Sequence, residues 1–359
     1  MRDYWQWFCS SLFYDPGLEH KLLGKYGNPE TVFRCSEKEL LDRFPTNREK
    51  LGALLENRKN WDFEREAERL KRLDLEFIHR EQPTYPKRLR TIPDAPCGLF
   101  VRGRLPEEEQ AAVAVVGARD CSSYGRNLSE WFGGELAAAG VQVLSGMARG
   151  IDACSHRGAL KKGGATFAVL AGGADMCYPE ANRDIYMALE RQGGIISECP
   201  PGVRPLKYYF PLRNRILSGM SDLVLIIEAR EKSGSLITAD YGLEQGKEVY
   251  AAPGPVGEAL SAGCNNLIRQ GAGIALSPEQ LLEVLHILPK FNCKKMQKDK
   301  NVLERSENLV YSCLRLQAQN LAEICGKTGL PPGEALSVLA KLQMKGYAKE
   351  VYKNYYTRC

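Results

Sequence analysis

The chain has 359 residues, of which 44% are hydrophobic and 26% are charged, a composition typical of a soluble protein with two or three domains. The 49 Lys and Arg residues outnumber the 44 Asp and Glu residues, so the net charge of +5 excludes a strongly acidic chain and allows an anionic partner. No apolar run is long enough to predict a membrane span, and we expect a cytoplasmic protein with no membrane association.

The 12 cysteines are scattered along the chain and form neither a CxxC motif nor a Cys/His cluster. Because metal sites need closely spaced ligands, we expect no zinc finger and no iron–sulfur site, and the spacing also argues against a redox pair. Scattered cysteines without a recognisable signal peptide are typical of a reducing cytosol. We therefore predict a protein without a metal or a cofactor.

The first third of the chain contains two kinds of sequence. Residues 1–75 predict a small all-helical domain, in which a Gly-Asn-Pro turn separates two helices within 21–33. Residues 76–110 contain five prolines, and this density predicts an extended connector.

Residues 111–288 repeat a short apolar run, a glycine-rich turn and a helical pattern. The runs lie at 111–117, 141–146, 166–173, 193–198, 222–229, 248–254 and 273–276. They are rich in Val and Ile and do not alternate with polar residues, as is typical of parallel strands buried on both faces. The pattern predicts an α/β fold with a doubly wound, mostly parallel sheet.

The last part of the chain begins with residues 289–302, whose lysines predict a basic linker. Residues 303–359 predict three helices followed by a hairpin around Lys353-Asn354. Three helices and a hairpin are the pattern of a winged-helix domain.

Ligands of a doubly wound sheet bind beyond the carboxyl ends of its strands, where small and cationic residues follow most of the runs. The candidates are Gly117, Arg119, Ser145, Gly146, Arg149, Gly172, Gly173, Lys232, Ser233, Gly234 and Ser235. Backbone amides at such turns, opening into helices, can hold phosphates. Neither GxGxxG nor the P-loop order is present, so the pattern predicts neither dinucleotide binding nor Walker-type hydrolysis.

The stretch 197–219 contains four prolines without strong periodicity, which predicts a long stiff loop. It interleaves basic with aromatic side chains, and its candidate binding residues are Lys207, Phe210, Arg213, Asn214 and Arg215. Cations follow the phosphates of a single strand while rings stack on its unpaired bases. The alternative is that the aromatic residues pack the loop onto the sheet, which we expect more of Tyr208 and Tyr209 than of Phe210.

The sequence offers no evident acid–base or nucleophile constellation. Its four histidines are scattered, and it contains no GxSxG or HExxH motif. Asp152 is positioned to orient the loop at 145–150, and His156 follows one helical turn later, for which we favour a structural role. The pattern therefore predicts a binding protein rather than an enzyme.

Several stretches together resemble the DNA-processing protein A family (DprA, also called Smf). They are VAVVGARDCSSYG, SGMARGIDACSH, GGADMCYPEANR, SECPPG, FPLRNRILSG, EAREKSGSLITA, GKEVYAAPG and GCNNLIRQGA. The resemblance implies an extended Rossmann-like domain between a SAM-like or helix-hairpin-helix domain and a winged-helix domain.

The same resemblance implies a function. It implies binding of single-stranded DNA without sequence preference, a homodimer formed through the Rossmann-like domain, and protection of incoming DNA. It also implies loading of the RecA recombinase onto that DNA during natural transformation and homologous recombination. The family's DNA contacts fall on Arg119, the loop with Arg149, Lys207, Phe210, Arg213, Asn214, Arg215 and the turn with Lys232.

Two alternatives belong to other functional classes. A nucleotide phosphoribohydrolase on the same type of sheet could pair Glu244 with Arg149, although the stretch 231–244 lacks the PGGxGT loop of those enzymes. A regulator of double-stranded DNA could act through the winged helix, although its helix at 333–344 offers only Lys341 for reading bases.

Overall fold

The computed structural model describes residues 3–287 and 303–358, so the predicted basic linker at 289–302 lies outside the described residues. The N-terminal region is helical, as predicted. Its helices are α1 (Tyr4–Leu12), α2 (Pro16–Tyr26), α3 (Pro29–Arg34), α4 (Glu37–Arg43), α5 (Arg48–Asn60) and α6 (Phe63–Arg72). Side chains of Asp, Asn or Ser accept amide hydrogen bonds at the start of five of them, which explains where those helices begin.

These helices share their hydrophobic core with the main sheet. Trp7 and Phe8 are fully buried, and they belong to the same cluster as Ala168 and Ile195 of the sheet. The N-terminal helices therefore cover one face of the sheet, whereas the sequence predicted a domain of their own. The domain boundaries themselves stay predictions.

The main sheet has nine strands in the order β1-β2-β6-β5-β4-β3-β7-β8-β9. They are β1 (Glu76–His79), β2 (Gly98–Gly103), β3 (Ala112–Val116), β4 (Gln142–Ser145), β5 (Thr166–Leu170), β6 (Gly193–Ser197), β7 (Leu223–Ile226), β8 (Glu248–Ala251) and β9 (Gly273–Ile274). From β6 to β9 all neighbours are parallel. Each of the seven predicted runs contains one of these strands, which confirms the predicted sheet.

Within the predicted extended connector at 76–110, the structure places two strands that the sequence did not predict. Its residues form β1 and β2, which pair antiparallel, and β2 also pairs antiparallel with β6. The prolines from Pro83 to Pro96 lie between the two strands, around the short helix α7 (Lys87–Arg90), and leave both ladders intact. The high proline content therefore indicated the loop correctly, but it did not reveal the strands on either side of that loop.

Helices lie on both faces of the sheet, with cores on each side. They are α8 (Ser123–Ala138), α9 (Ile151–Lys161), α10 (Arg183–Gln192), α11 (Tyr209–Gly219), α12 (Leu236–Glu244), α13 (Ala262–Arg269) and α14 (Pro278–Val284). The chain proceeds from β3 outward through β4 to β6 and then returns to β7 on the other side of β3. This reversal beside β3 is the point where doubly wound sheets bind ligands.

The predicted long loop at 197–219 is half helix. Residues 198–208 form the loop, but α11 occupies Tyr209–Gly219. Pro211 lies in the first turn of α11, where a missing amide proton interrupts no intrahelical hydrogen bond. Because the prolines indicated a loop, the sequence did not predict this helix, which contains Arg213, Asn214 and Arg215.

The C-terminal region has the predicted winged-helix pattern. It contains α15 (Arg305–Cys313), β10 (Gln319–Asn320), α16 (Leu321–Thr328), α17 (Pro332–Met344), β11 (Ala348–Tyr352) and β12 (Tyr355–Arg358). The strands form an antiparallel sheet in the order β10-β12-β11, and Val310, Ile324 and Leu339 centre a separate core. This region contacts the main body through Leu316, whose carbonyl accepts a hydrogen bond from the Asn127 amide at 3.3 Å. Across 3–287 and 303–358, no helix is both long and apolar enough to cross a bilayer.

Glycines allow α8 and α9 to pack closely. A Cβ atom on Gly133 would collide with the carbonyl oxygen of Ser155, and one on Gly158 would collide with the carbonyl oxygen of Glu130. Because these neighbours are backbone atoms, no side-chain rotation can relieve the collision. The contact matters for the site, because α8 and α9 both begin at the ligand-binding edge of the sheet.

We expect the Gly158→Ala substitution to lower the free energy of unfolding by roughly 1–3 kcal/mol, the usual cost of overpacking. The matched control is Gly52→Ala on the exposed face of α5, where nothing lies within 4 Å of the added methyl group. There the better helix propensity of alanine should raise stability by about 0.5–1 kcal/mol. Urea unfolding of both variants measures the two changes, and equal signs would contradict the close packing of α8 on α9.

Candidate functional site

A cavity of about 510 Å³ opens at the carboxyl ends of β3 and β7, where the winding of the sheet reverses. It brings together many of the residues singled out in the sequence. Of these, the cavity is lined by Gly117, Arg119, Lys207, Phe210, Arg213, Asn214, Ser233, Gly234 and Ser235. The loops after β3, β6 and β7 thus converge as the parallel sheet requires.

The lining is cationic. Arg119 and Lys207 are exposed at its rim, and Arg213 lies buried at its base. The only carboxylate among the lining residues is that of Asp152, which accepts backbone amide hydrogen bonds from Gly146 at 3.1 Å and Ala148 at 3.3 Å. Burial raises the pKa of Asp152, while Arg213 opposes that rise. Asp152 therefore orients the 146–148 loop, as its position in the sequence suggested.

Arg213 ties the ends of two strands together. Its side chain is only 4% exposed, and it donates hydrogen bonds to the carbonyl oxygens of Gly146, at 3.0 Å, and Val169. Burial lowers its pKa, and the Asp152 carboxylate counteracts this effect. A Cβ atom on Gly146 would collide with the guanidinium, so any larger residue there would require the Arg213 side chain to move.

The two residues after Arg213 point in other directions. The Asn214 amide donates a hydrogen bond to the carbonyl oxygen of Gly234 at 3.3 Å, which joins α11 to the turn before α12. Arg215 donates to both carboxylate oxygens of Glu198, at 2.7 and 2.8 Å, and both side chains are 3% exposed. Successive helical residues point about 100° apart, so Arg215 points away from the cavity that Arg213 and Asn214 line. Arg215 is outside the cavity lining.

An aromatic ring and a guanidinium of the cavity lining contact each other. The guanidinium carbon of Arg119 lies 4.8 Å from the centre of the Phe210 ring, within the range of a cation–π interaction. The Phe210 ring also lies 6.3 Å from the ring of Tyr178, which is exposed and lines the cavity as well. Sequence reasoning missed Tyr178, although an aromatic residue beyond the Gly172-Gly173 strand end was a usable signal.

The turn before α12 contributes hydroxyl groups. The Oγ atoms of Ser233 and Ser235 lie 2.8 Å apart and share a hydrogen bond, and both residues line the cavity. Lys232 precedes them and is exposed, but it is outside the lining. The turn can therefore offer hydroxyl and backbone donors to an anion at the start of a helix.

Several residues predicted to bind a ligand lie outside the cavity lining and instead stabilise the strand ends and loops around it. Ser145 is fully buried, and its hydroxyl donates to the carbonyl oxygen of Val115 at 2.6 Å. Gly146 and Gly172 border a small neighbouring cavity that also touches Phe210. The amide of Gly173 already donates to the carbonyl oxygen of Val203 at 2.9 Å. These groups hold strand ends and loops together.

Arg149 and Tyr208 point into solvent near the site. The Arg149 guanidinium is 63% exposed and lies 3.7 Å from the carboxylate of Asp120, a loose surface ion pair. Tyr209 is buried and packs on Phe13 and Tyr14, as the sequence suggested, whereas Tyr208 is 60% exposed. The expectation that both tyrosines pack inward was therefore wrong for Tyr208.

His156 has a structural position. Its Nδ1 atom lies 2.7 Å from the hydroxyl of Thr166, which itself donates to the carbonyl oxygen of Val143. Nδ1 therefore carries the proton and donates to the hydroxyl. Complete burial lowers the pKa of His156 to about 3, so the ring is neutral. Among the residues described, no group of three or more His, Cys, Asp or Glu side chains is arranged to hold a metal ion.

Comparisons with known proteins give consistent matches. The model of the family described as DNA recombination-mediator protein A matches residues 76–286. The chain is 44% identical to Protein Smf of Escherichia coli (strain K12) over 218 residues, which are 59% of this chain and 58% of that protein. It is 41% identical over 198 residues to DNA processing protein DprA of Streptococcus pneumoniae, covering 55% of this chain and 70% of that one.

Solved structures agree with these matches. The structure of DNA processing protein A from Streptococcus pneumoniae aligns with a TM-score of 0.65 and 30% identity, over 79% of this chain and 98% of that one. DNA processing protein A from Helicobacter pylori, solved for its single-stranded DNA binding mode, aligns with a TM-score of 0.53 and 27% identity. That alignment covers 59% of this chain and 95% of the other. Because the family model matches more than half of its length, this chain belongs to the DNA recombination-mediator protein A family.

Proposed function

We propose that the protein binds single-stranded DNA without sequence preference, protects it, and loads the RecA recombinase onto it during natural transformation and homologous recombination. The observation that carries the proposal is the cavity at the strand ends, which is lined by Arg119, Lys207 and Arg213 together with the partly exposed ring of Phe210. Cations with an accessible ring are the combination that a single strand requires, because its phosphates are charged and its bases are free to stack.

The shape of the site favours a single strand over a duplex. A cavity of about 510 Å³ has room for one nucleotide, and the Phe210 ring lies at its wall. A base can stack there only after leaving its partner, which costs a duplex a few kcal/mol of unpairing and unstacking. The lining offers guanidinium, ammonium, hydroxyl and ring groups that suit any base, which supports binding without sequence preference.

A homodimer through the Rossmann-like domain is part of the proposal. The edge strand β9 and the segment after it expose Ile274 and Leu276, and Leu243 is exposed at the end of α12. Exposed apolar side chains at a sheet edge favour association with a second copy. The two cavities of one dimer would bind a single DNA strand at two points, which would raise the overall affinity for DNA by avidity.

The relatives support the recombinase step. The family is described as a recombination mediator, and the Helicobacter pylori relative is described as binding single-stranded DNA. The alignment covers less than two thirds of the Escherichia coli relative, so transfer of the whole activity to this chain is part of our proposal. We place the encounter with RecA on a face other than the cavity, because the cavity is taken up by DNA.

The proposal is of a binding protein rather than an enzyme. Neither Arg149 nor Glu244, the pair that a phosphoribohydrolase would require, belongs to the residues lining the cavity. In the winged-helix region, α17 exposes Leu336 and Met344 beside Lys341, a mainly apolar surface that favours protein contacts over base reading. Release of free base from a nucleoside monophosphate would support the enzyme instead.

Fluorescence anisotropy with labelled single-stranded and double-stranded oligonucleotides across a salt series tests the function. We expect tight single-strand binding that weakens steeply with salt, because phosphate contacts release counterions. Binding of mixed-sequence and homopolymer strands should differ little. Equal or tighter duplex binding would shift the function to the winged helix, and a lack of binding to either would refute the proposal.

Lys207→Ala tests the phosphate contacts. Because Lys207 is exposed at the rim of the cavity, we expect weaker binding and a salt slope that is smaller by about 0.7, the loss of one phosphate contact. The matched control is Lys38→Ala on α4, an exposed lysine outside the cavity lining. Identical slopes for the two variants would exclude Lys207 from the DNA contacts.

Phe210→Ala tests base stacking. Removing the ring should weaken binding by roughly 1–3 kcal/mol, the contribution of one stacked base, and should leave the number of phosphate contacts nearly unchanged. We expect Phe210→Tyr to restore most of the affinity, because a tyrosine ring can stack equally well. A large change in salt slope with Phe210→Ala would show instead that the ring acts by positioning Arg119, which it contacts.

A further inference from the structure

Two tyrosine rings are exposed at the tip of the hairpin in the winged-helix region. Lys353 and Asn354 form the two-residue turn between β11 and β12, and the φ of 64° at Asn354 is the left-handed conformation that such turns require. Tyr352 and Tyr355 pair across this turn and are 62% and 42% exposed. Their ring centres lie 6.5 Å apart in an edge-to-face arrangement, with 84° between the ring planes. The turn therefore holds two aromatic rings together in solvent.

The exposed rings are not part of the core of this region. Tyr356, the next residue along β12, is 4% exposed and packs in that core with Ala348 and Val310. Because successive side chains of a strand point to opposite faces, Tyr355 lies on the outer face of the hairpin. Neighbouring aromatic side chains that the core does not use indicate a surface that contacts a partner.

The hairpin is positively charged beside the two rings. Lys349 and Lys353 are exposed, and within 3–287 and 303–358 neither of them forms an ion pair. By contrast, Lys341 on α17 is paired with Glu304 at 3.3 Å. The hairpin has one carboxylate, that of Glu350, which accepts a hydrogen bond from the backbone of the turn at 2.8 Å. Two free ammonium groups therefore lie on the same hairpin as the rings.

The winged-helix region is attached to the main body near the edge of the sheet where the cavity opens. Its contact is the hydrogen bond from Asn127 to the carbonyl oxygen of Leu316, and the Leu316 side chain packs against the core on that face of the sheet. Asn127 lies four residues after Ser123, where α8 begins, which is about 6 Å along the helix. The chain enters α8 directly from the loop that carries Arg119, so the contact lies close to that side of the cavity.

Exposed arginines flank this contact on both sides. Arg126 precedes the contacting residue of α8, Arg315 precedes that of the winged-helix region, and within the described parts of the chain neither forms an ion pair. The carbonyl oxygen of Arg315 accepts a hydrogen bond from the amide of Arg358, at the end of β12, at 2.9 Å. From Arg358, the strand extends over about 10 Å to Tyr355. Exposed cations thus mark a route from the cavity to the hairpin.

We propose that the hairpin is a second binding site for single-stranded DNA, which takes the part of the strand that leaves the cavity. Tyr352 and Tyr355 stack on unpaired bases, and Lys349 and Lys353 contact phosphates. Exposed rings beside free cations are the combination that single strands bind. A duplex keeps its base faces stacked on one another, and an acidic peptide would use the lysines alone, so both fit the hairpin less well. This inference rests on the proposed function, because it extends the path of the same strand.

The dependence of affinity on oligonucleotide length tests the second site. Anisotropy is measured with thymidine homopolymers of increasing length, the shortest of which fill the cavity alone. We expect the native protein to show a further rise in affinity once the strand is long enough to reach the hairpin. Tyr352→Ala with Tyr355→Ala should weaken binding of the long strand by about tenfold or more, the contribution of a stacked base, and leave the shortest strand unaffected. The corresponding Phe variants should retain the rise.

Controls within the same region separate the hairpin from its surroundings. Leu336→Ala removes an exposed apolar side chain of α17 and should bind the long strand like the native protein. Lys353→Ala should lower the salt slope for the long strand by about 0.7, whereas Lys341→Ala, which removes a paired lysine, should not. Equal effects of the hairpin and α17 variants would overturn the proposal, as would an equal hairpin-dependent gain for a duplex of the same length.

Photocrosslinking locates the strand on the protein. A long oligonucleotide with iodouracil bases is irradiated on the full chain, and the protein is digested with trypsin. We expect crosslinks in peptides 350–353 and 354–358, which contain Tyr352 and Tyr355. Crosslinks confined to the main body, or a native affinity that does not rise with length, would refute the second site and leave the cavity as the binding site. No binding of the shortest strand by the native protein would instead refute the proposed function.

Discussion

One helix, α11, holds the site in place through three consecutive polar side chains. Arg213 bonds the carbonyl groups of Gly146 and Val169, Asn214 bonds that of Gly234, and Arg215 pairs with Glu198. The loops after β4 and β7 and the end of β5 are thereby fixed to a single rigid element. The ion pair between Arg215 and Glu198 is buried. Removing either side chain would leave an uncompensated buried charge, which would destabilise the protein by about 3–5 kcal/mol.

The sheet could be predicted because a strand that is buried on both faces has a recognisable sequence pattern, an apolar run that does not alternate with polar residues. α11 could not be predicted, because Pro211, the prolines just before the helix and its mixed polarity resemble a loop, and only tertiary contacts explain why Arg213 and Arg215 are buried. β1 and β2 were hidden for a related reason. β1 pairs with β2, and β2 joins the sheet by pairing with β6, which lies far along the chain, so no local sequence pattern predicts this pairing.

The sequence predicted which loops form the candidate site better than it predicted the role of each residue there. The sequence correctly indicated which loops meet, since parallel strands end at one edge. It did not show which way each side chain points. Lys207 and Phe210 face the cavity, whereas Ser145 bonds a neighbouring strand and Arg215 lies in a buried ion pair. A buried arginine and a DNA-binding arginine look alike in a sequence, because both require a charge but only the fold decides its partner.

The two walls of the cavity differ in how firmly they are held. The α11 wall is fixed by buried hydrogen bonds and an ion pair. The other part of the lining is the loop from Gly117 to Ser122, whose far end is held where Ser122 donates two hydrogen bonds to Glu228, at 2.5 and 2.9 Å. Arg119 lies in this loop with an exposed side chain, so its guanidinium is less restrained than that of the buried Arg213. A fixed base and an adjustable rim suit a ligand whose phosphates repeat and whose bases vary.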